Sequence, residues 1–319
     1  MLHKKLRNSA TKKRKSKYNI CIVGMSSKNK TDMILLNGAK KVFGSVLFIP
    51  ISGIRLVGVS GKIKVMYRNT NLKKFDVVLF RVPEQCYENA LLIAKNLDVF
   101  KIQEPETFEI SKNRLLLFKK LAEDKINVPK ISYANNSEAA ARSFKEMKFP
   151  ILVRVLGSSK KVMLAESQRE AKAMLDTLES LNQPLFLEEY VTGVDLFQIY
   201  ILGGEVIGTI RKKAGEIEYG KGEYESKRVP RKIRELATSV CHSTGTKIAR
   251  VDILNLPDPI VVDVNVCPYL DLLEQVSKED VGRKVMRRVK EMTSVEKGGF
   301  LGKLIDDAAK VVLRNTLRV

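Results

Sequence analysis

Ile248-Ala249-Arg250-Val251-Asp252-Ile253-Leu254, the turn Asn255-Leu256-Pro257-Asp258-Pro259, and then Ile260-Val261-Val262-Asp263-Val264-Asn265-Val266-Cys267-Pro268 form the stretch that decides the fold. Each flank is a run of apolar, β-branched residues of the kind that forms a buried strand, and the proline-bearing turn folds the second run back on the first. Into these strands the sequence sets Asp252, Asp263 and Asn265. A lone carboxylate in a dry sheet is costly, so such groups are neutralised or coordinate something. Asp263 and Asn265 are two apart and leave the same face of their strand, and a hairpin partner can bring Asp252 to that face as a third oxygen ligand. The set suits a hard cation. Mg²⁺ takes a few carboxylate or amide oxygens and completes its shell with phosphates, as it would if a nucleotide lay across the sheet. The competing interpretation is strand-end carboxylates in salt bridges with nearby lysines.

Working outward, 319 residues suffice for a large core and more than one domain. No apolar run approaches the ~20 residues that cross a bilayer, and no signal-like apolar segment follows the basic start. A soluble, cytoplasmic protein without a membrane partner is therefore expected. Cys21, Cys86, Cys241 and Cys267 are widely spaced with no C-x-x-C pair, which indicates neither a disulfide framework nor a zinc knuckle. The net charge of +21, from 57 Lys and Arg against 36 Asp and Glu, draws polyanions: acidic metabolites, nucleotides or RNA. Charge by itself does not choose among them.

The order of elements upstream gives the architecture. Residues 1–17 form a basic arm expected to be disordered, available to RNA or another polyanion or simply solvated. Tyr18–Gly24, Ser45–Ile49 and Phe75–Arg81 alternate as strands with helical patterns through Met33–Val42 and Asn89–Leu97, which predicts a small parallel α/β domain over 18–105. Ser111–Lys125 repeats apolar residues at helical spacing up to Asn127-Val128-Pro129. Phe149–Val155 and Val162–Ala165 are strands around the loop Gly157-Ser158-Ser159-Lys160-Lys161. Leu196–Leu202 turns at Gly203-Gly204 into Glu205–Arg211, a hairpin. Arg231–Ser243 is helical. Phe300, Leu301, Leu304, Ile305, Ala308, Val311 and Val312 fall at helical spacing, so 291–319 is expected to be an amphipathic helix for packing or for a homo-oligomer contact, with a membrane-surface helix as the alternative.

Between Glu109 and Val289 the chain resembles the ATP-grasp superfamily, and within it the RimK-type amino-acid ligases. Ser137-Glu138-Ala139, Phe149-Pro150-Ile151-Leu152-Val153-Arg154, Glu188-Glu189-Tyr190-Val191, Gly193-Val194-Asp195, Gly203-Gly204, Val251-Asp252 and Asp263-Val264-Asn265 follow the family's order and approximate spacing. The resemblance implies an α+β nucleotide-binding half of two subdomains, 106–184 and 185–290, with ATP and Mg²⁺ or Mn²⁺ between them. It implies that Glu188 and the backbone of Glu189 and Val191 meet the adenine edge and that Asp195 accepts from the ribose. It implies that Arg114 (or Lys112, one register away) and Arg154 grip phosphates, that Gly157, Ser158 and Lys160 cover them, and that Asp252, Asp263 and Asn265 hold the metal. Arg211 occupies the place of a basic residue aimed at the reacting phosphate, so Arg211 and Arg154 are the catalytic candidates.

The chain departs from the family in four places, one of them Glu216–Lys221, which lacks the Arg and Asn of the family's substrate loop. Arginines stand where lysines are usual at 114 and 154, one glycine remains in the phosphate loop, and Asp263 replaces a glutamate. The activity implied is ligation of an amine to a small-molecule or protein carboxylate, the amino acid being glutamate-like, through an acyl phosphate. Two alternatives stand beside it. Gly193–Gly203 and Val262–Asn265 also resemble inositol-polyphosphate kinases of this fold, whose polyanionic substrate would match the charge. The thinned phosphate loop and basic arm would also suit a nucleotide- or RNA-binding adaptor without turnover.

Overall fold

The computed structural model describes residues 17–26, 28–155, 162–181, 183–214, 223–226 and 228–316, with the side chains of 59, 181 and 300–316 outside the description. The basic arm, save Lys17, and the loop holding Gly157, Ser158 and Lys160 therefore lie outside the described residues. So does Glu216–Lys221, where the sequence departs from the family's substrate loop.

The first part of the chain runs β1 (Asn19–Gly24), α1 (Lys30–Val42), β2 (Ser45–Pro50), β3 (Ile54–Val59), β4 (Lys62–Tyr67), β5 (Thr70–Asn71), β6 (Val77–Phe80), α2 (Tyr87–Lys95) and β7 (Phe100–Lys101). Among the described residues, β2-β1-β6-β7 form a parallel sheet. Ile20, Cys21, Ile22 and Val23 are fully buried, as expected of a strand covered on both faces. The predicted parallel α/β domain is thus present. The hairpin sheet β3-β4-β5 inserted before β6 was not anticipated. Its central strand carries Lys62 and Lys64 and buries only Val65, so no apolar alternation announced it.

Next come α3 (Pro105–Ser111), α4 (Arg114–Glu123), β8 (Ile131–Ala134), α5 (Ser137–Arg142), β9 (Ile151–Val155), β10 (Val162–Ala165), α6 (Gln168–Leu178) and β11 (Leu185–Glu189). The sheet order is β10-β9-β11-β8, all antiparallel. This moves the boundary expected at 184/185. Leu185–Glu189 pairs with β9 and β8, so the first subdomain's sheet includes it.

The last part comprises β12 (Leu196–Leu202), β13 (Glu205–Lys212), β14 (Tyr224–Glu225), α7 (Arg231–Thr244), β15 (Ile248–Leu254), β16 (Ile260–Asn265), α8 (Asp271–Ser277) and α9 (Val281–Thr316). The sheet order is β14-β13-β12-β15-β16. Gly203 and Gly204, at φ of 57° and 78°, make the two-residue hairpin turn that the sequence predicted. Gly245 ends α7 in the left-handed conformation, its N–H reaching the Cys241 and His242 carbonyls, and aims the chain into β15.

Two contacts lock the parallel domain onto this sheet. Helices α1 and α9 cross at glycines, since a Cβ on Gly282 would run into the Ile34 carbonyl oxygen and one on Gly38 into Gly282 itself. Gln103 accepts from Phe80 N at 3.0 Å and donates to Phe80 O and Val266 O, stapling β6 to the chain after Asn265. Helix α9 runs unbroken through Gly298-Gly299 and across the 290/291 boundary expected from sequence. Val281, Val285, Met286 and Val289 pack its first turns into the core. Among the described residues no helix is long and apolar enough to cross a membrane.

Candidate active site

Helix α4 touches both antiparallel sheets, since Leu117, Phe118 and Leu121 share one core with Phe186 of the first and Ile199, Val251 and Val264 of the second. From the second sheet, β15 and β16 pair with Asp252 opposite Asp263 and Arg250 opposite Asn265, so four polar side chains project from one face of the hairpin. From the first sheet, β11 sends Glu188 and β9 sends Arg154 toward the same space. Arg114, at the first turn of α4, bridges them. Its Nε and Nη2 donate to the two Glu188 oxygens at 3.0 and 2.9 Å, its Nη1 donates to Asp263 Oδ1 at 3.0 Å, and Nη2 also reaches the Val262 carbonyl. The N-cap of α4 sets that orientation, because the Asn113 side chain accepts from the amides of Leu115 and Leu116. Phe118, one turn on, stacks beneath the Arg114 guanidinium at 4.5 Å.

Arg250 closes the other side. Its Nε donates to Asp252 Oδ1 at 2.7 Å, and its Nη2 donates to Asp252 Oδ2 at 3.0 Å and Asp263 Oδ2 at 3.1 Å. Gln198, cross-strand on β12, donates a third hydrogen bond to Asp252 at 3.3 Å. The Asp252 side chain is 9% exposed and that of Asp263 37%. Burial alone would raise the Asp263 pKa, but the guanidinium groups of Arg114 and Arg250 hold it below the usual carboxylate range. Three arginines and three carboxylates thus share the cluster at zero formal charge.

The expected roles fare differently. Glu188, read as an adenine contact, is buried and held by Arg114, with Arg154 at 3.5 Å. The Glu189 amide donates to the Lys130 carbonyl, and its carboxylate accepts from the Lys148 amide. Val191 follows β11, in the connector between the sheets. Asp195 accepts from Arg211 Nε at 2.7 Å and from the Ala214 amide at 3.0 Å, so both its oxygens are engaged within the protein. Arg211 in turn donates to Glu225 at 2.8 Å, which turns it to the rim of the sheet. Arg154 is the less committed cation. Its Nε is buried and makes no hydrogen bond.

Asn265 Oδ1 accepts from the Cys267 amide at 2.9 Å and keeps a second lone pair. Among the described residues no cluster of three or more His, Cys, Asp and Glu side chains is placed to hold a metal. Asp263 accepts one hydrogen bond on each oxygen and Asp252 three in all, two of them from the fork of Arg250, so Asp263 with Asn265 is the less committed oxygen pair that could hold one hard cation. Sequence reasoning missed Arg250, although its position two residues before Asp252 on one strand put both on the same face. It also missed Glu84, on the turn after β6, where burial and the charge of Asp263 raise the carboxyl pKa against the pull of Arg114 and Arg154.

This geometry can be set beside known proteins. The RimK-like ATP-grasp domain family matches residues 111–289. A probable alpha-L-glutamate ligase of Methanococcoides burtonii is 22% identical over 299 residues, covering 89% of this chain and 97% of that protein. Another, from Thioalkalivibrio sulfidiphilus, is 24% identical over 247 residues, covering 73% and 82%. Among solved structures, the macrocyclase MdnC of Microcystis aeruginosa, bound to its precursor peptide MdnA, superposes with a TM-score of 0.67 at 14% identity, over 85% of this chain and 99% of that one. D-cycloserine synthetase DcsG superposes with a TM-score of 0.66 at 16% identity, over 86% and 99%. At those identities the structures speak for the fold, while the match over more than half of the chain settles the family: the protein belongs to the RimK-like ATP-grasp family and is an ATP-grasp ligase.

Proposed function

We propose that the chain joins an amine to a carboxylate at the expense of ATP, adding a glutamate-like amino acid to a small molecule or a protein. The observation that carries this is the meeting, between two sheets, of Arg114 from α4 with Glu188 of β11 and Asp263 of β16, with Arg154 of β9 at 3.5 Å from the same Glu188. The names of the sequence relatives favour glutamate as the amino acid. In the reaction a carboxylate oxygen of the acceptor attacks the γ-phosphorus and the bond to the bridging oxygen breaks, releasing ADP. The amine nitrogen then attacks the acyl carbon, phosphate departs with the C–O electron pair, and the amine proton passes to water.

Each residue has a place in that sequence. Arg154, whose Nε makes no hydrogen bond and only a 3.5 Å ion pair with Glu188, binds the transferring phosphoryl group and stabilises the charge that builds on it. Arg114 holds Glu188 and Asp263 in register, so that the two sheets present one face to the nucleotide. Asp263 and Asn265 would hold Mg²⁺, which supplies neutralisation of phosphate charge when bound. Val191 is assigned to the nucleotide's base, and Gly157, Ser158 and Lys160 to its phosphates, from sequence.

The test is incubation with Mg·ATP while ADP and free phosphate are followed separately. A ligase releases both in equal amounts, and only when acceptor and amino acid are both present. ADP without free phosphate would instead identify a kinase of a polyanionic substrate, and neither product an adaptor.

A further inference from the structure

We infer that Arg250 is a tethered cation standing in for one divalent ion, so that this site takes a single metal ion, on Asp263 and Asn265, with Asp252 a partner of Arg250 and not a ligand. The inference rests on the nucleotide-site assignment above. Its basis is placement. Asp252 and Asp263 sit opposite each other on neighbouring strands, the arrangement in which two carboxylates share bridging ions, and the Arg250 Nη2 lies between them, within 3.1 Å of an oxygen of each.

The same guanidinium takes Asp252 through two parallel hydrogen bonds, the fork geometry that a carboxylate binds most strongly. Gln198 covers that carboxylate from β12. A divalent ion on Asp252 would have to displace a buried guanidinium, which has no other carboxylate within reach except the already shared Asp263. Asp263 differs. Each of its oxygens accepts a single hydrogen bond, from Arg114 and from Arg250, its side chain is 37% exposed, and Asn265 leaves the same face of β16 two residues on. Mg²⁺ commonly binds through one or two protein carboxylates plus phosphates and water, so the reduced donor set suffices.

The test counts ions on the full-length chain, using Mn²⁺ with a non-hydrolysable ATP analogue, by equilibrium dialysis and by the loss of the free-Mn²⁺ electron paramagnetic resonance signal. Wild type should bind one Mn²⁺ per chain. Asp252→Asn should leave that number at one and the Mn²⁺ Kd within about twofold, while Asp263→Asn should weaken it at least tenfold. Arg250→Ala should admit a second ion, and Arg250→Ala combined with Asp252→Asn should return the count to one. If Arg250→Ala does not fold, the asparagine variants decide the question, since each keeps the shape of the residue it replaces. Two ions on wild type, or a tenfold loss in Asp252→Asn, overturns the inference and leaves the ligase assignment standing. Failure of the analogue to bind, measured by calorimetry, overturns the nucleotide site itself and this inference with it.

Discussion

Two arginine clusters use the same chemistry to different ends. The inner one joins Arg114 and Arg250 to Glu188, Asp252 and Asp263, and its hydrogen bonds span as many as 149 positions in the chain. The outer one joins Arg211 to Asp195 and Glu225, within 16 positions, all on or beside one edge of the β12–β14 sheet, where Arg211 and Glu225 are cross-strand partners. Arg114 links the first sheet to the second, and Glu188 at 3% and Asp252 at 9% exposure are shielded from water, so removing their arginines strands a buried charge. The outer set can open without moving either sheet. Ion pairs of similar length therefore hold the two halves of the site in register at one place and brace a local rim at the other.

The sharpest way to break that contrast is Arg114→Ala. It leaves Glu188, 3% exposed, without its bidentate partner, and the loss should be about 3–5 kcal/mol by urea denaturation. A loss under about 1 kcal/mol would place the inner cluster with ordinary surface pairs. Asp263→Asn should follow, with a loss of turnover on the order of 100-fold and a retained fold, because an amide oxygen still accepts from Arg114. Asp263→Ala is the poorer probe, since it strands two guanidinium groups and would lose fold and activity together. The pH dependence has a definite sign. The folded-state pKa of Asp263 lies below its unfolded value, so its contribution is complete above the ordinary carboxylate range and is lost as pH falls through the lower folded value. The stability gap between wild type and Asp263→Asn should thus stay constant from pH 8 to 5 and close only in stronger acid.

The family outline was legible because it is written in local patterns. The β15–β16 hairpin, the glycine turn at 203–204 and the parallel domain each follow from apolar runs and turn residues that need no distant partner. The roles of the charged residues were less legible. Glu188 and Asp195 were read as nucleotide contacts, yet each is matched by an arginine 74 or 16 positions away, and no spacing rule reports such a pairing. Arg250 was missed for a different reason: strand alternation puts it on the same face as Asp252, a signal that was in the sequence and was not used. The β3–β4 flap escaped notice because its lysines are exposed and its strands bury little.

A steric control separates ionic from packing effects. Where α1 crosses α9 at Gly38 and Gly282, Gly282→Ala should cost about 1–3 kcal/mol through overpacking against the Ile34 carbonyl, with no change in the salt dependence of unfolding. Arg114→Ala should change that dependence only slightly, because buried pairs are poorly screened. Similar losses reached by the two routes would show that the parallel domain is held to the second sheet by shape and the first sheet by charge.

The smallest effect on stability is expected at the outer cluster, and it isolates the chemistry best. Arg211→Gln removes a cation whose partners, Asp195 and Glu225, lie at the sheet rim, so urea denaturation should not distinguish the variant from wild type. If Arg211 only braces the rim, kcat and KM for ATP should also stay at wild-type values. If it swings from Asp195 to the reacting phosphate during turnover, kcat should fall while the KM for ATP holds, because the contact would exist only as charge develops. Asp195→Asn tells the two apart from the other direction. Weakening the tether should leave a bracing arginine's enzyme slower or unchanged, whereas an arginine that must leave its partners to reach the phosphate would be released more readily, and kcat would rise.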